Sequence, residues 1–157
     1  MRFVFVDRIE KIEKNKYAKG IKAISFEEGF LKSPYGEKGF FPRLLLMESA
    51  AQLASWLIMY SSDFKRIPMI VKMDKFSLME NVKCGTTISI EANVNSMSTK
   101  RALLNCDIFI DSRLIAKAEN CEFVFTDLEK LVNKSEMKAR FSDLSSKAEF
   151  VKQEESL

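Results

Sequence analysis

An α+β domain, with an antiparallel sheet wrapped around one central helix, is the fold this sequence predicts, on three observations. The run at 42–60, PRLLLMESAAQLASWLIMY, has helix length and is apolar on all sides. The stretch at 86–97, TTISIEANVNSM, alternates Ile88, Ile90, Ala92 and Val94 with Thr87, Ser89, Glu91 and Asn93, the pattern of a half-buried strand. Turn signals at 98–100 and at Asp111-Ser112 separate that strand from two more, at 101–110 and 114–125, and so predict an antiparallel meander. A helix with no polar half must be covered on every side, and the sheet supplies the cover.

The remaining elements follow in order. Residues 3–6 are a short apolar stretch leading to Asp7-Arg8-Ile9, and from 9 to 26 Ile12, Tyr17, Ile21 and Ile24 sit among lysines and glutamates. With Asn15-Lys16 as the turn, this predicts a strand or a strand pair. From 27 to 41 glycine, proline, serine and aromatics predict a loop, and Pro42 suits the first turn of the helix it leads into. Ser61-Ser62-Asp63 ends the helix, and 67–78 is a further strand. The hot-dog arrangement of sheet and helix is expected over 1–126. Residues 127–157, charged and serine-rich, are expected to be a marginal helix grading into a mobile tail.

Composition narrows the function. At 157 residues and 46% hydrophobic content the chain fits one domain with a real core. Its 25 basic and 22 acidic residues are mixed along the sequence, which argues against a nucleic-acid groove. Cys84, Cys106 and Cys121 are odd in number and widely spaced, so reduced thiols and a cytoplasmic protein are expected, with neither metal nor cofactor. The opening apolar stretch is too short for a signal peptide, and Arg43, Glu48, Gln52 and Ser55 interrupt the apolar helix too often for a membrane span. Histidine is absent altogether, which removes the commonest general base near neutral pH.

The candidate site starts at Glu48. Glu48, Gln52 and Ser55 follow i, i+4, i+7 and form one polar stripe on an otherwise apolar helix, expected to face a cavity or an interface. A buried structural carboxylate bonded to Gln52 or to backbone is the other reading of Glu48. Arg43, at the helix start, is a candidate for substrate phosphate or else a solvated rim residue. Tyr35 is a candidate proton donor or a packed loop aromatic. Trp56 and the eight methionines line an acyl tunnel or fill the core.

The sequence resembles the FabZ/FabA-type 3-hydroxyacyl-acyl-carrier-protein dehydratases. FVFVDRI is similar to the family's apolar-Val-Asp-Arg start, LLLMESAAQLA to its central-helix pattern, and KMDKFSLMENVKCGTTISIEANV to the segment where Asp-Lys starts a strand and Gly precedes the next. The resemblance implies a hot-dog dimer joined edge to edge with acyl tunnels at the interface. It also implies that a His of one subunit and a helix Glu or Asp of the other dehydrate the thioester, helped by a backbone N–H at the helix start. Glu48 matches the helix carboxylate. Carried over without a gap, the family's His position falls on Pro34 and its helix-start Gly on Arg43, so the usual dyad cannot form in a homodimer.

The expected role is therefore a dehydratase-like protein of fatty-acid or polyketide-type acyl metabolism, inactive alone, that binds acyl-carrier-protein or coenzyme A thioesters. Its partner is expected to be a second copy or a His-bearing paralogue. Two alternatives stand beside this: a half-site subunit that supplies Glu48 to a heterodimeric dehydratase, and a thioesterase in which Glu48 activates water, aided by Gln52 or Ser55.

Overall fold

The computed structural model describes residues 4–27 and 39–152. In chain order it contains β1 (Arg8–Glu13), β2 (Tyr17–Ala23), α1 (Arg43–Ser61), β3 (Arg66–Leu78), β4 (Thr87–Met97), β5 (Arg101–Ile110) and β6 (Arg113–Asp127). A short 3-10 turn (Leu128–Lys130), α2 (Lys134–Leu144) and β7 (Glu149–Val151) complete it. The seven strands form one sheet in the order β3-β6-β5-β4-β2-β1-β7.

The local chemistry of the turns sets the meander. Asn15 (φ 61°) in the β1–β2 hairpin and Asp111 (φ 53°) between β5 and β6 adopt left-handed backbone, which Asn and Asp tolerate better than other side chains with a Cβ. In the β4–β5 turn the Ser98 hydroxyl accepts from the N–H groups of Lys100 and Arg101. β4, β5 and β6 are consecutive antiparallel neighbours, as the turn signals imply. β3 lies beyond them, paired with β6, so the strand that follows the helix becomes an outer edge of the sheet.

The inner face of the sheet carries Ala18, Ile88, Ile90, Ala92, Leu104, Ile108 and Phe123, and packs on Leu46, Ala50, Leu53, Ala54 and Leu57 of α1. Gly20 of β2 is where helix and sheet come closest: a Cβ there would lie 3.0 Å from both Leu53 Cδ1 and the Arg8 carbonyl oxygen. Asp7 ties this corner together. Its carboxylate accepts the Ala23 N–H at 2.7 Å and stands 3.6 Å from the buried Lys22 ammonium. None of Cys84, Cys106 and Cys121 is in a disulfide.

The helix is not covered on every side by its own chain, as its composition led us to expect. Leu44 is 67% exposed and Glu48 is exposed with it, because nothing in the described chain packs over that flank of α1. In the charged C-terminal region α2 places Phe141, only 7% exposed, on the C-terminal half of α1, and β7 pairs in parallel with β1.

Candidate functional site

The exposed flank of α1 and the edge strand β3 bound an open groove of about 370 Å³. Leu44, Met47, Glu48 and Ala51 line it from the helix, and Ile70, Val71, Lys72 and Met73 from the strand. Helical spacing sets the first group on one flank. The second group comes from a bulge: the β3–β6 register slips between Ile70 and Lys72, so Val71 is an extra residue and two neighbouring apolar side chains are offered at the edge. Sequence reasoning missed these strand residues, although three consecutive apolar residues, Met69-Ile70-Val71, in place of alternation carried the signal.

Glu48 stands at the rim of this groove, exposed but held. The Gln52 amide donates to Glu48 Oε1 at 2.8 Å, and Gln52 Oε1 accepts the Phe5 N–H at 2.8 Å, so the carboxylate is oriented through Gln52 by the N-terminal segment. Gln52 is a positioning residue in this arrangement. Ser55 shares the stripe, but its hydroxyl donates to the Ala51 carbonyl at 2.8 Å, one turn back along the helix. Glu48 and Gln52 are thus brought together, and Ser55 is turned away.

Arg43 begins α1. Its guanidinium donates to the Phe76 carbonyl at 2.7 Å and lies 5.4 Å from the centre of the Phe76 ring, which clamps the helix start to β3. No side chain caps this helix end, and Leu45 and Leu46 are the first N–H groups bonded, both to the Pro42 carbonyl. The N–H groups of Arg43 and Leu44 find no acceptor among the described residues. They are donors at the positive end of the helix dipole, near the groove.

Lys72 brings a cation to the groove but is engaged by Asp74 at 2.6 Å. That hydrogen bond raises the lysine pKa and lowers the aspartate's. Tyr35 and Pro34 lie outside the described residues. Trp56 is not part of the groove; it packs on Phe141 with ring centroids 6.1 Å apart, while Met47 and Met73 do line it. No cluster of metal-ligating side chains occurs among the described residues, and no helix there is long and apolar enough to cross a membrane. The arrangement offers one oriented carboxylate, backbone donors at a helix start that have no acceptor among the described residues, and an apolar trough, with no imidazole anywhere in the chain.

Known proteins resemble this chain in sequence and in fold. The FabA-like domain family matches residues 1–119. The 3-hydroxyacyl-acyl-carrier-protein dehydratase FabZ of Caldicellulosiruptor bescii is 27% identical over 118 residues, which is 74% of this chain and 84% of that protein. Among solved structures, a Streptococcus mutans protein bound to acetyl-CoA superposes with a TM-score of 0.64 at 12% identity, covering 82% of this chain and 94% of the other. A hot-dog-like protein from Thermanaerovibrio acidaminovorans superposes with a TM-score of 0.61 at 15% identity, covering 80% and 90%. The fold is the hot-dog fold.

Proposed function

We propose, because this chain belongs to the FabA-like family yet contains no histidine, that it binds acyl thioesters as one subunit of a dimer and does not dehydrate them alone. The observation that carries this reading is Glu48, oriented by Gln52 at the rim of an apolar groove that stays open along the β3 edge.

Dehydration of a 3-hydroxyacyl thioester requires removal of a proton α to the carbonyl, protonation of the departing hydroxyl, and a donor to the oxygen that becomes enolate-like. The backbone N–H groups of Arg43 and Leu44 suit the last task. Glu48 suits one of the two proton transfers; among the described residues the other titratable group lining the groove is Lys72, which is already engaged by Asp74. The trough of Leu44, Met47, Ala51, Ile70 and Met73 suits an acyl chain carried on acyl carrier protein or coenzyme A. The exposed Met69, Ile70 and Val71 support pairing of this edge with another chain, which would roof the groove.

A second reading is favoured by the hydrogen bond that orients Glu48: a partner carrying histidine supplies the missing group, and Glu48 completes a shared site. A carboxylate kept only for packing has no need to be held at an open groove. The test is hydration of crotonyl-CoA by the purified chain, alone and mixed with a His-bearing dehydratase chain of the same genome, with sedimentation to detect a mixed complex. We expect no hydration by the chain alone. Hydration that appears only in a stable mixed complex and falls at least about a hundredfold with Glu48→Gln, the lower range for loss of a general acid or base, establishes the shared site. Hydration unchanged by Glu48→Gln leaves the binding-subunit reading. Hydrolysis of the thioester by the chain alone overturns both in favour of a thioesterase.

A further inference from the structure

A second hollow, of about 730 Å³, lies at the C-terminal end of α1. It takes Ile58 and Ser61 from the helix, Ser62 from its C-cap and Arg66 from the start of β3, whereas the groove at Glu48 takes Leu44, Met47 and Ala51 from the same helix and Ile70 to Met73 from the same strand. Positions 44, 47, 51 and 58 are spaced by three, four and seven residues, which returns each to one flank of the helix. β3 runs back along that flank, with Arg66 near Ile58 and Phe76 held by Arg43. The two hollows therefore lie in line, and the seven residues from Ala51 to Ile58 separate them by about 10 Å.

Their linings differ. The second hollow has an apolar floor of Ile58, Val94, Met97 and Phe125 and a rim of Ser61, Asn95, Ser96, Ser98 and Thr99, with Lys65 and Arg66 beside them. One carboxylate, Asp63, lines the hollow and is paired with Lys14, and a second, Asp127, stands outside it and is paired with Arg66. The helix end adds little negative potential, because the carbonyls of Ile58, Met59 and Tyr60 accept the N–H groups of Ser62, Phe64 and Asp63. Lys65 is left as the excess charge. Its influence reaches Asp63, whose carboxyl is held below its usual range first by the Lys14 hydrogen bond and further by the charges of Lys14, Lys65 and Lys138.

We propose that this hollow receives the far end of an acyl chain whose thioester lies at Glu48, and that its rim selects a chain ending in a carboxylate. The inference rests on the acyl-thioester reading above and adds the substrate class: ω-carboxyacyl thioesters. A chain ending in methyl would gain from an apolar end wall. Here the floor is apolar, while the end presents hydroxyls, amides and an ammonium. A volume of about 730 Å³ lies within the range of roughly 300–1,000 Å³ typical of small-molecule sites.

The experiment is calorimetric titration of the purified full chain with dodecanoyl-CoA and with its ω-carboxy counterpart, repeated with Lys65→Glu. Lys65 is exposed, so the substitution leaves the fold intact. We expect the ω-carboxy probe to bind about fivefold tighter, the upper range for an exposed ion pair, and Lys65→Glu to abolish that preference, read as the ratio of the two affinities in each protein. Equal binding of the two probes overturns the inference and leaves the acyl-thioester reading in place. So does a preference that survives Lys65→Glu. Binding of neither probe overturns both.

Discussion

The two edges of the sheet are treated in opposite ways. At the β1 edge the chain pairs β7 in parallel with Lys11, Ile12 and Glu13, adds the Lys11–Glu149 ion pair, and folds α2 over the end of α1. There Phe141 meets Tyr60, Phe64, Trp56 and Phe150, with the Tyr60 ring stacked at 5.1 Å. At the β3 edge a strand of thirteen residues has no outer neighbour among the described residues, and it exposes Met69, Ile70 and Val71. An open apolar edge invites pairing with another chain, and proteins that must avoid it place charges or a cover there. This chain covers one edge with residues beyond the 1–119 matched by its family and leaves the other without a cover among the described residues, with Met69, Ile70 and Val71 exposed beside the Lys72–Asp74 pair. The contrast supports the β3 edge as the place for the partner of the proposed dimer.

The covered edge should be the costlier to damage. Phe141→Ala removes the ring at the centre of the aromatic cluster and should destabilise the chain by about 3 kcal/mol, the lower range for a buried phenylalanine truncated to alanine. Urea unfolding of the purified variant measures it. A loss below about 1 kcal/mol, typical of surface change, would mean that α2 only rests on α1, and the contrast between the edges would weaken.

The open edge should respond in assembly and not in folding. Val71 is 56% exposed at the bulge, so Val71→Lys should change the stability of the isolated chain by no more than about 0.5 kcal/mol. In a dimer joined through β3 the same ammonium would be buried without a partner, and sedimentation velocity should show the variant as monomer at concentrations where the parent chain is dimeric. A variant that stays dimeric would place the interface elsewhere.

What the sequence disclosed depended on how local the cause was. The apolar run of α1, the alternation in β4 and the turn residues Asn15, Ser98 and Asp111 act within a few positions, and the structure follows them. The Glu48–Gln52 pair was legible for the same reason, since i, i+4 spacing puts both on one face. The direction of a side chain was not. Ser55 donates to its own helix, and Arg43 reaches thirty-three residues along the chain to the Phe76 carbonyl. Placement of β3 beyond β6 is a choice of sheet order that no local pattern encodes, so the strand side of the groove stayed hidden. β7 is three residues, too short for any period, and it is held by Phe150 against Tyr60 and Phe141.

Alkaline pH offers the smallest test and separates the two halves of the sheet. Tyr17 on β2, near the closed edge, donates its hydroxyl to the Glu91 carboxylate. Burial first, and then the Glu91 charge and hydrogen bond, push its phenol well above the usual 10.0. Because the folded chain holds this proton more tightly than the unfolded chain, the stabilisation is complete below the unfolded value and is lost as pH rises through the folded one. Lys72 on the open edge is also raised, by Asp74, but that pair is fully exposed and screened by solvent. Urea stability measured at about pH 9 and about pH 11, on either side of an ordinary phenol, should fall in the parent chain and fall less in Tyr17→Phe, while Asp74→Asn should follow the parent. An unchanged slope in Tyr17→Phe would remove the phenol as the cause. A flattened slope in Asp74→Asn would move the alkaline sensitivity to the open edge.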